Sequence, residues 1–333
     1  MKYHIFLIFF ISIIQLIGCE KKTDNPVAPI TTPTTNKVYY WERTNASSGG
    51  GILSLAVSGP NLFAGTVGGG AYLSTDNGES WASIDNGLPG SDLALAISGT
   101  NIFAGTDGGG VFLSTNSGAS WHSVNPSLTN GYIYVYALTI SGTNIFAGTN
   151  QGVLLSTNSG TNWTVAQIGL EGYVMSFAVN GMNLFAGTNG YGVFLSTNNG
   201  IRWYSVQTGL TNGNVYALAI NGTNIYAGTD DGVFLSTNNG GSWAAVNTGL
   251  TNRYISDFAI SGINLFVGTT LGGVFLSTNN GTSWIAINTG LTDSTVNCLA
   301  ICDTNLFAGT NSGIWRLRYT EVYPIGWTVL GEK

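Results

Sequence analysis

The chain has 333 residues, of which 44% are hydrophobic and only 8% charged, with 48 glycines and a formal net charge of −6. Scarce charge beside plentiful aromatic residues and regular turn formers excludes a disordered chain and points to an all-β domain. With only ten Lys and Arg residues the chain lacks the basic footprint that a phosphate backbone requires, which excludes nucleic acid as a partner.

The first element is an export signal. Met1-Lys2-Tyr3-His4 gives a short positive start and Ile5 to Ile17 an almost unbroken apolar run. That run is too short to span a bilayer comfortably and suits the hydrophobic region of a signal peptide. It ends in Leu16-Ile17-Gly18-Cys19, followed by Glu20-Lys21-Lys22. This arrangement resembles the lipobox of bacterial lipoproteins. The resemblance implies a signal peptide over 1–18, lipid on Cys19, and anchoring in the cell envelope at the outer membrane or cell surface. An ordinary cleaved signal with an incidental Cys is the alternative. Loss of Lys2 with the first eighteen residues takes the net charge from −6 to −7. Residues 19–36 interleave Pro and Thr with little to bury, and read as an extended tether between the anchor and the domain.

From residue 37 the sequence repeats. Trp81, Trp121, Trp163, Trp203, Trp243 and Trp284 recur every 40 to 42 residues, each at the end of a block such as Ser74-Thr75-Asp76-Asn77-Gly78-Glu79-Ser80-Trp81. Upstream of each block lies a phrase such as Asn224-Ile225-Tyr226-Ala227-Gly228-Thr229, and before that an apolar run such as Ala217-Leu218-Ala219-Ile220. The fifth repeat predicts strand A over 215–220, B over 224–229, C over 232–236 and D from Trp243. Short Gly- and Asn-containing links between them suit hairpins. Four short antiparallel strands in some forty residues make one blade of a β-propeller. A β-solenoid is the runner-up, although its repeats are usually shorter.

The two ends give the blade count. A last repeat runs through Asn305-Leu306-Phe307-Ala308-Gly309-Thr310 to Gly313-Ile314-Trp315-Arg316-Leu317 and then lacks its block and Trp strand. Trp41-Glu42-Arg43-Thr44-Asn45 matches Trp243-Ala244-Ala245-Val246-Asn247 in position. The reading is therefore a seven-bladed propeller over 37–318, closed by an N-terminal strand at 38–45, with a tail at 319–333. Closure hides the faces that an open ring would expose. Cys298 and Cys302, four apart on one strand, lie about 13 Å from each other, too far for a disulfide. They are expected to be free thiols.

The block resembles the Asp-box, or BNR repeat, of sialidase propellers, sortilin-type receptors, xyloglucan-active glycoside hydrolases and a photosystem II assembly factor. In that family the box is a structural turn between strands C and D, away from the ligand face. The structural positions this implies here are Asp76, Asn116, Asn158, Asn198, Asn238 and Asn279 with the six tryptophans above. Turn chemistry accounts for them, since an Asp or Asn side chain bonds backbone N–H groups further on and Gly accepts positive φ. With Asp in one copy alone, no metal is expected at these turns, and no cofactor elsewhere.

A sialidase resemblance would further imply three arginines for a substrate carboxylate and an Arg-Ile-Pro signature. The mature chain has Arg43, Arg202, Arg253, Arg316 and Arg318, no Arg-Ile-Pro, and one His, His122. Only Arg253 is placed to reach a ligand face, and no catalytic residues are assigned. The repeats stop agreeing in the B–C loops (Asp107, Gln151, Tyr191, Asp230, Asp231, Leu271) and the D–A loops (Asp92, Tyr132, Tyr134, Glu171, Tyr173, Asn214, Arg253, Tyr254, Asp293). Variable loops on a rigid scaffold are where binding residues collect. Tyr132, Tyr134, Tyr173, Tyr191, Asp230, Asp231, Arg253 and Tyr254 are the expected ligand-binding set, for a protein or glycan held by a monomeric, membrane-anchored propeller. Shielding of blade edges is the other role open to these tyrosines. A carbohydrate-active enzyme using a carboxylate pair among Asp107, Glu171, Asp230 and Asp231, or an assembly factor, are the alternative functions.

Overall fold

In the fifth repeat, strand A is Val215–Asn221, B is Asn224–Thr229, C is Gly232–Ser236 and D is Ala244–Ala245, antiparallel throughout. The computed structural model describes residues 36–46, 50–89, 94–124 and 132–322. Over these residues the same A-B-C-D order recurs in seven four-stranded sheets, and the fold is a seven-bladed β-propeller. Blades 1 to 6 span 52–83, 94–123, 135–165, 173–205, 215–245 and 255–286. Blade 7 combines 296–322 with the N-terminal strand Asn36–Arg43. The expected export signal, Cys19 and most of the expected tether lie outside the described residues, as does the tail beyond Val322.

The repeated phrases have repeated physical tasks. Strand B carries a Gly because the next blade's strand A presses on it: a Cβ on Gly228 would lie 2.5 Å from Ile255 Cγ2. The Thr that follows is fully buried, and Thr229 Oγ1 donates to the Gly232 carbonyl at 2.9 Å, pinning the B–C turn. The core thus lies between blades, as where Tyr226 and Val233 of blade 5 pack with Ile255, Phe258 and Val267 of blade 6. Each such side chain, taken fully from water, stabilises the interface by about 1.5–3 kcal/mol.

The Ser-Thr-Asp/Asn block is the C–D turn. Asn238 Oδ1 accepts from the Ser242 N–H at 2.8 Å, while Ser236 Oγ accepts from the Gly240 N–H at 2.9 Å. The chain turns through two successive positive-φ residues, Asn239 at 55° and Gly240 at 83°, so the unnamed position of the block is as constrained as its Gly. Asp76 makes the same turn with charge: Ser80 donates to it through hydroxyl and backbone and Ser74 through its hydroxyl, holding the carboxyl down at about 2. The tryptophans do more than cover a sheet. Trp121, Trp203, Trp243 and Trp284 donate their indole N–H to Ile84, Ala166, Val206 and Val246 of the preceding blade at 2.6–2.8 Å. Trp163 bonds locally to the Gly160 carbonyl, and the Trp81 indole N–H finds no partner among the described residues.

The N-terminal strand closes the ring as its sequence match requires. Trp41 Nε1 donates to the Ile287 carbonyl at 2.6 Å, Trp41 N to Thr289 O at 2.8 Å, and Thr44 N to Ile314 O at 2.9 Å. A charged clasp reinforces the seam. Arg316, with its side chain only 5% exposed, reaches Glu79 at 2.6 Å and the Asn77 carbonyl at 2.8 Å in the C–D turn of blade 1. Arg318 pairs with both Glu79 and Glu42 at 3.1 Å. Cys298 and Cys302 are buried free thiols.

Two boundaries differ from the sequence reading. The closing strand is Asn36–Arg43, and the final strand runs from Gly313 to Val322, past residue 318. The closing strand keeps its eight residues but starts two earlier, and the final strand lengthens because blade 7 has no C–D turn to end it. That missing turn leaves a mark. In five of the six C–D turns the turn Gly sits near the strand-B aromatic of the blade before it, as Gly200 does on Phe146. The equivalent aromatic facing blade 7, Phe266, is 8% exposed where Phe146 is 0%, and lines a groove of about 460 Å³ with Leu276, Ile287 and Tyr319.

Candidate functional site

The B–C and D–A loops emerge on one face and bond to each other there. Gly232 N donates to Arg253 O at 2.7 Å, Gly192 N to Gly213 O at 2.9 Å, and Gly273 N to Ser294 O at 2.9 Å. Asx-type bonds shape the D–A loops: Asn212 Oδ1 accepts from Asn214 N at 2.8 Å, Asn252 Oδ1 from Tyr254 N at 3.0 Å, and Asp293 Oδ1 from Thr295 N at 3.0 Å. These loops, which vary in sequence, are therefore held by hydrogen bonds as the repeating turns are.

The expected ligand residues gather in two groups on this face. In blade 5 and the loop leading to blade 6, Asp230 accepts from the side chains of Asn212 and, at 3.0 Å, Asn214. Asp231 pairs with Arg253 at 3.1 Å, both half-exposed. Tyr254 stacks on Tyr216 with ring centroids 5.2 Å apart and planes 21° apart. At the entry to blades 3 and 4, Tyr173 stacks on Tyr136 at 6.2 Å and 29°. Asn150 orders the strand leading there, accepting from Tyr134 N at 3.1 Å and donating to Tyr132 O at 3.3 Å. Tyr132 and Tyr191 lie exposed over Gly108 and Gly172. Glu171 and Leu271 are exposed and join neither group, and Asp92 lies outside the described residues.

Arg253 is not the only arginine to reach this face. Arg43 also does, at its outer edge, where its guanidinium donates to the Ser312 carbonyl in the B–C turn of blade 7. The outermost strand of a blade runs up to the loop face, so a residue at its upper end arrives there even though its sequence marks it as structural. Arg316 and Arg318 are consumed by the clasp, and Arg202 sits in a C–D turn where its backbone N–H donates to Asn198.

Three residues of the site escaped the sequence reading. In six blades strand A carries a β-bulge near its start, placing Leu53, Tyr136, Met175, Tyr216, Ser256 and Asn297 at equivalent positions. Strand A of every blade lines one central channel of about 520 Å³, and Tyr136, Tyr216 and Tyr254 stand in its wall. Burial first, then the neighbouring Tyr254 and Asp230, push the Tyr216 phenol up. Burial and then Tyr173 do the same to Tyr136. Both therefore keep their protons near neutral pH and can donate hydrogen bonds. The third is Asp257, deeper in the wall. Its Oδ1 accepts from Phe258 N and its Oδ2 from Leu299 N on the next blade, each at 2.8 Å. Burial raises its carboxyl to about 6 against these two bonds.

No family model matches the chain, and no curated protein does. Solved structures do. YCF48 bound to D1 peptide aligns with a TM-score of 0.65 at 15% identity, over 84% of this chain and 96% of that one. An ancestral GH74 enzyme aligns at 0.67 and 20% identity, over 83% of this chain and 46% of that one. The extracellular domain of a B. thetaiotaomicron hybrid two component system (BT3049) aligns at 0.68 and 18%, over 86% and 41%. At these identities the likeness is one of fold. Binding proteins and enzymes share it, so function rests on this chain's own site.

Proposed function

We propose that this chain is an exported Asp-box propeller, lipidated at Cys19 and held on a Pro- and Thr-rich tether, that captures a protein or glycan on its loop face. The observation that carries this reading is the pairing of Tyr136 with Tyr173 and of Tyr216 with Tyr254 beside the channel mouth. Stacked aromatic rings on a rigid frame give a ligand a flat apolar surface at little entropic cost, and the nearby Asp231–Arg253 pair gives it polar partners. Both tyrosine pairs join adjacent blades, so the contact surface is as stiff as the ring. The D1 peptide held by the structurally similar YCF48 is consistent with a peptide-binding use of the scaffold.

The chain is read as a binder and not an enzyme because two of the four candidate carboxylates, Asp230 and Asp231, are already committed to partners. Asp230 is held by two asparagines and Asp231 by Arg253. A glycan array and a cross-linking pull-down with the delipidated chain test the proposal. Tyr173→Ala and Tyr254→Ala should each abolish capture while leaving the thermal transition in place. Capture that survives both substitutions refutes it. The anchor is tested separately: Cys19→Ala should release the chain from membranes into the soluble fraction.

A further inference from the structure

The central channel has a chemistry of its own. Its wall is built from strand A of all seven blades, and among the described residues no Lys, Arg or His lines it. Asp257 is the one carboxylate there among the described residues. The residue just after the bulge is Ser54, Ala137, Ser176, Ala217 and Cys298 in other blades, so a small side chain satisfies the fold at this place. Asp257 therefore puts a charge where the scaffold does not need one. Its oxygens each take one backbone N–H, which leaves one lone-pair direction on each, and no cation pairs with it among the described residues. Three residues earlier on the same stretch stands Tyr254, stacked on Tyr216, both in the wall of the same channel. A carboxylate below aromatic faces is the arrangement that receives a cation.

Resting on the binding role proposed above, we infer that the channel accepts a primary ammonium group on an aliphatic stem, passing Tyr216 and Tyr254 to pair with Asp257. An ammonium suits the place better than a guanidinium. It is a compact point charge with rotatable donors, whereas a planar fork wants both oxygens of a carboxylate free in one plane. A lysine side chain of a protein partner and a free alkylamine share this chemistry. The groups facing Asp257 do not compete with it for protons in the neutral range. Cys298 on the next blade is pushed well above the usual thiol range by burial and by Asp257 itself, and burial also raises Cys302. Tyr216 on the blade before is pushed up too, and strand B beside Asp257 has no titratable residue. Asp230 and the Asp231–Arg253 pair lie in the loops at the rim.

The test is titration of the intact chain with n-butylammonium, with n-butanol as neutral control, and with a capped Gly-Lys-Gly peptide, followed by calorimetry. Butylammonium or the lysyl peptide should bind where butanol does not. Asp257→Ser, a residue other blades already carry in this position, should weaken binding by about tenfold or more with the fold intact. Affinity should fall as the pH is lowered through 6, where Asp257 takes up its proton. Tighter binding of the peptide assigns the site to a partner's lysine, and tighter binding of the free amine to a soluble ligand. Equal binding of butanol, or no loss in a folded Asp257→Ser chain, overturns the inference. If Asp257→Ser keeps both butylammonium binding and the capture of a macromolecule that Tyr173→Ala loses, the loop-face reading stands and the channel assignment alone fails.

Discussion

Two glycines separate what a turn costs from what a blade interface costs. Gly262, in the A–B hairpin of blade 6, has φ at 60° and nothing within 4 Å of where a Cβ would lie. Gly249, in the loop after strand D of blade 5, has φ at 83°, but there a Cβ would lie 2.3 Å from the Trp284 carbonyl oxygen of blade 6. Gly262→Ala meets only the left-handed backbone penalty, partly offset by a stiffer unfolded chain, a net cost of about 0.5–1.5 kcal/mol. Gly249→Ala meets the same penalty and must also push the Trp284 backbone away by nearly an ångström. That strains Trp284 N to Thr248 O at 2.9 Å and Trp284 Nε1 to Val246 O at 2.7 Å. At about 1 kcal/mol for each bond, the total becomes about 2.5–3.5 kcal/mol. Urea unfolding of the two variants, at unchanged slope, reads the difference directly. Destabilisation equal within about 0.5 kcal/mol would show that the blades do not depend on this approach, against the packing account given above.

Other outcomes follow from the same structure. Glu79→Ala strips the buried Arg316 of its closest anionic partner and should cost about 1–3 kcal/mol, largely retained in 1 M salt, as read by thermal melts. Phe146→Ala, under a C–D turn, should cost about 3–5 kcal/mol, and Phe266→Ala beside the open groove about 1–2 kcal/mol less, as read by urea midpoints. Asp257 titrates at about 6 in the folded chain against 3.8 ordinarily, so its ionisation opposes folding. Relative to Asp257→Ser, the wild-type chain should lose stability as the pH rises from about 4 through 6, by at most about 3 kcal/mol, and then level off. Asp76 has the opposite sign: its depressed carboxyl supports the fold above the usual carboxylate range and loses that support as the pH falls towards 2. Unfolding curves of Asp76→Asn and wild type, compared at low and neutral pH, should converge in acid.

The architecture was legible because each structural task recurs at a fixed interval. Tryptophans 40 to 42 residues apart, and a closing strand recognisable by Trp41, leave one way to lay out the strands. The site was legible only in part. Tyr173 and Tyr254 stand out as aromatic residues in loops that otherwise disagree. Tyr136 and Tyr216 do not, since each reads as one more member of an apolar strand. The bulge that sets them at the channel is a feature of register, which periodicity cannot show. Asp257 was hidden in a column of small residues, where a polar exception looks like drift until the channel is seen. The clasp was invisible for another reason: Glu79 and Arg316 are 237 residues apart, and nothing local joins them.

In the function proposed above, the ligand is recognised on the loop face, around the two tyrosine pairs. Hydrogen–deuterium exchange with and without the captured ligand tests this most directly. Binding should slow exchange in 132–136, 172–174, 212–216, 230–232 and 252–255 and leave the C–D turns at 75–80, 197–202 and 237–242 unchanged. Protection confined to those turns, with the tyrosine-bearing segments exchanging as in the free chain, would contradict the account.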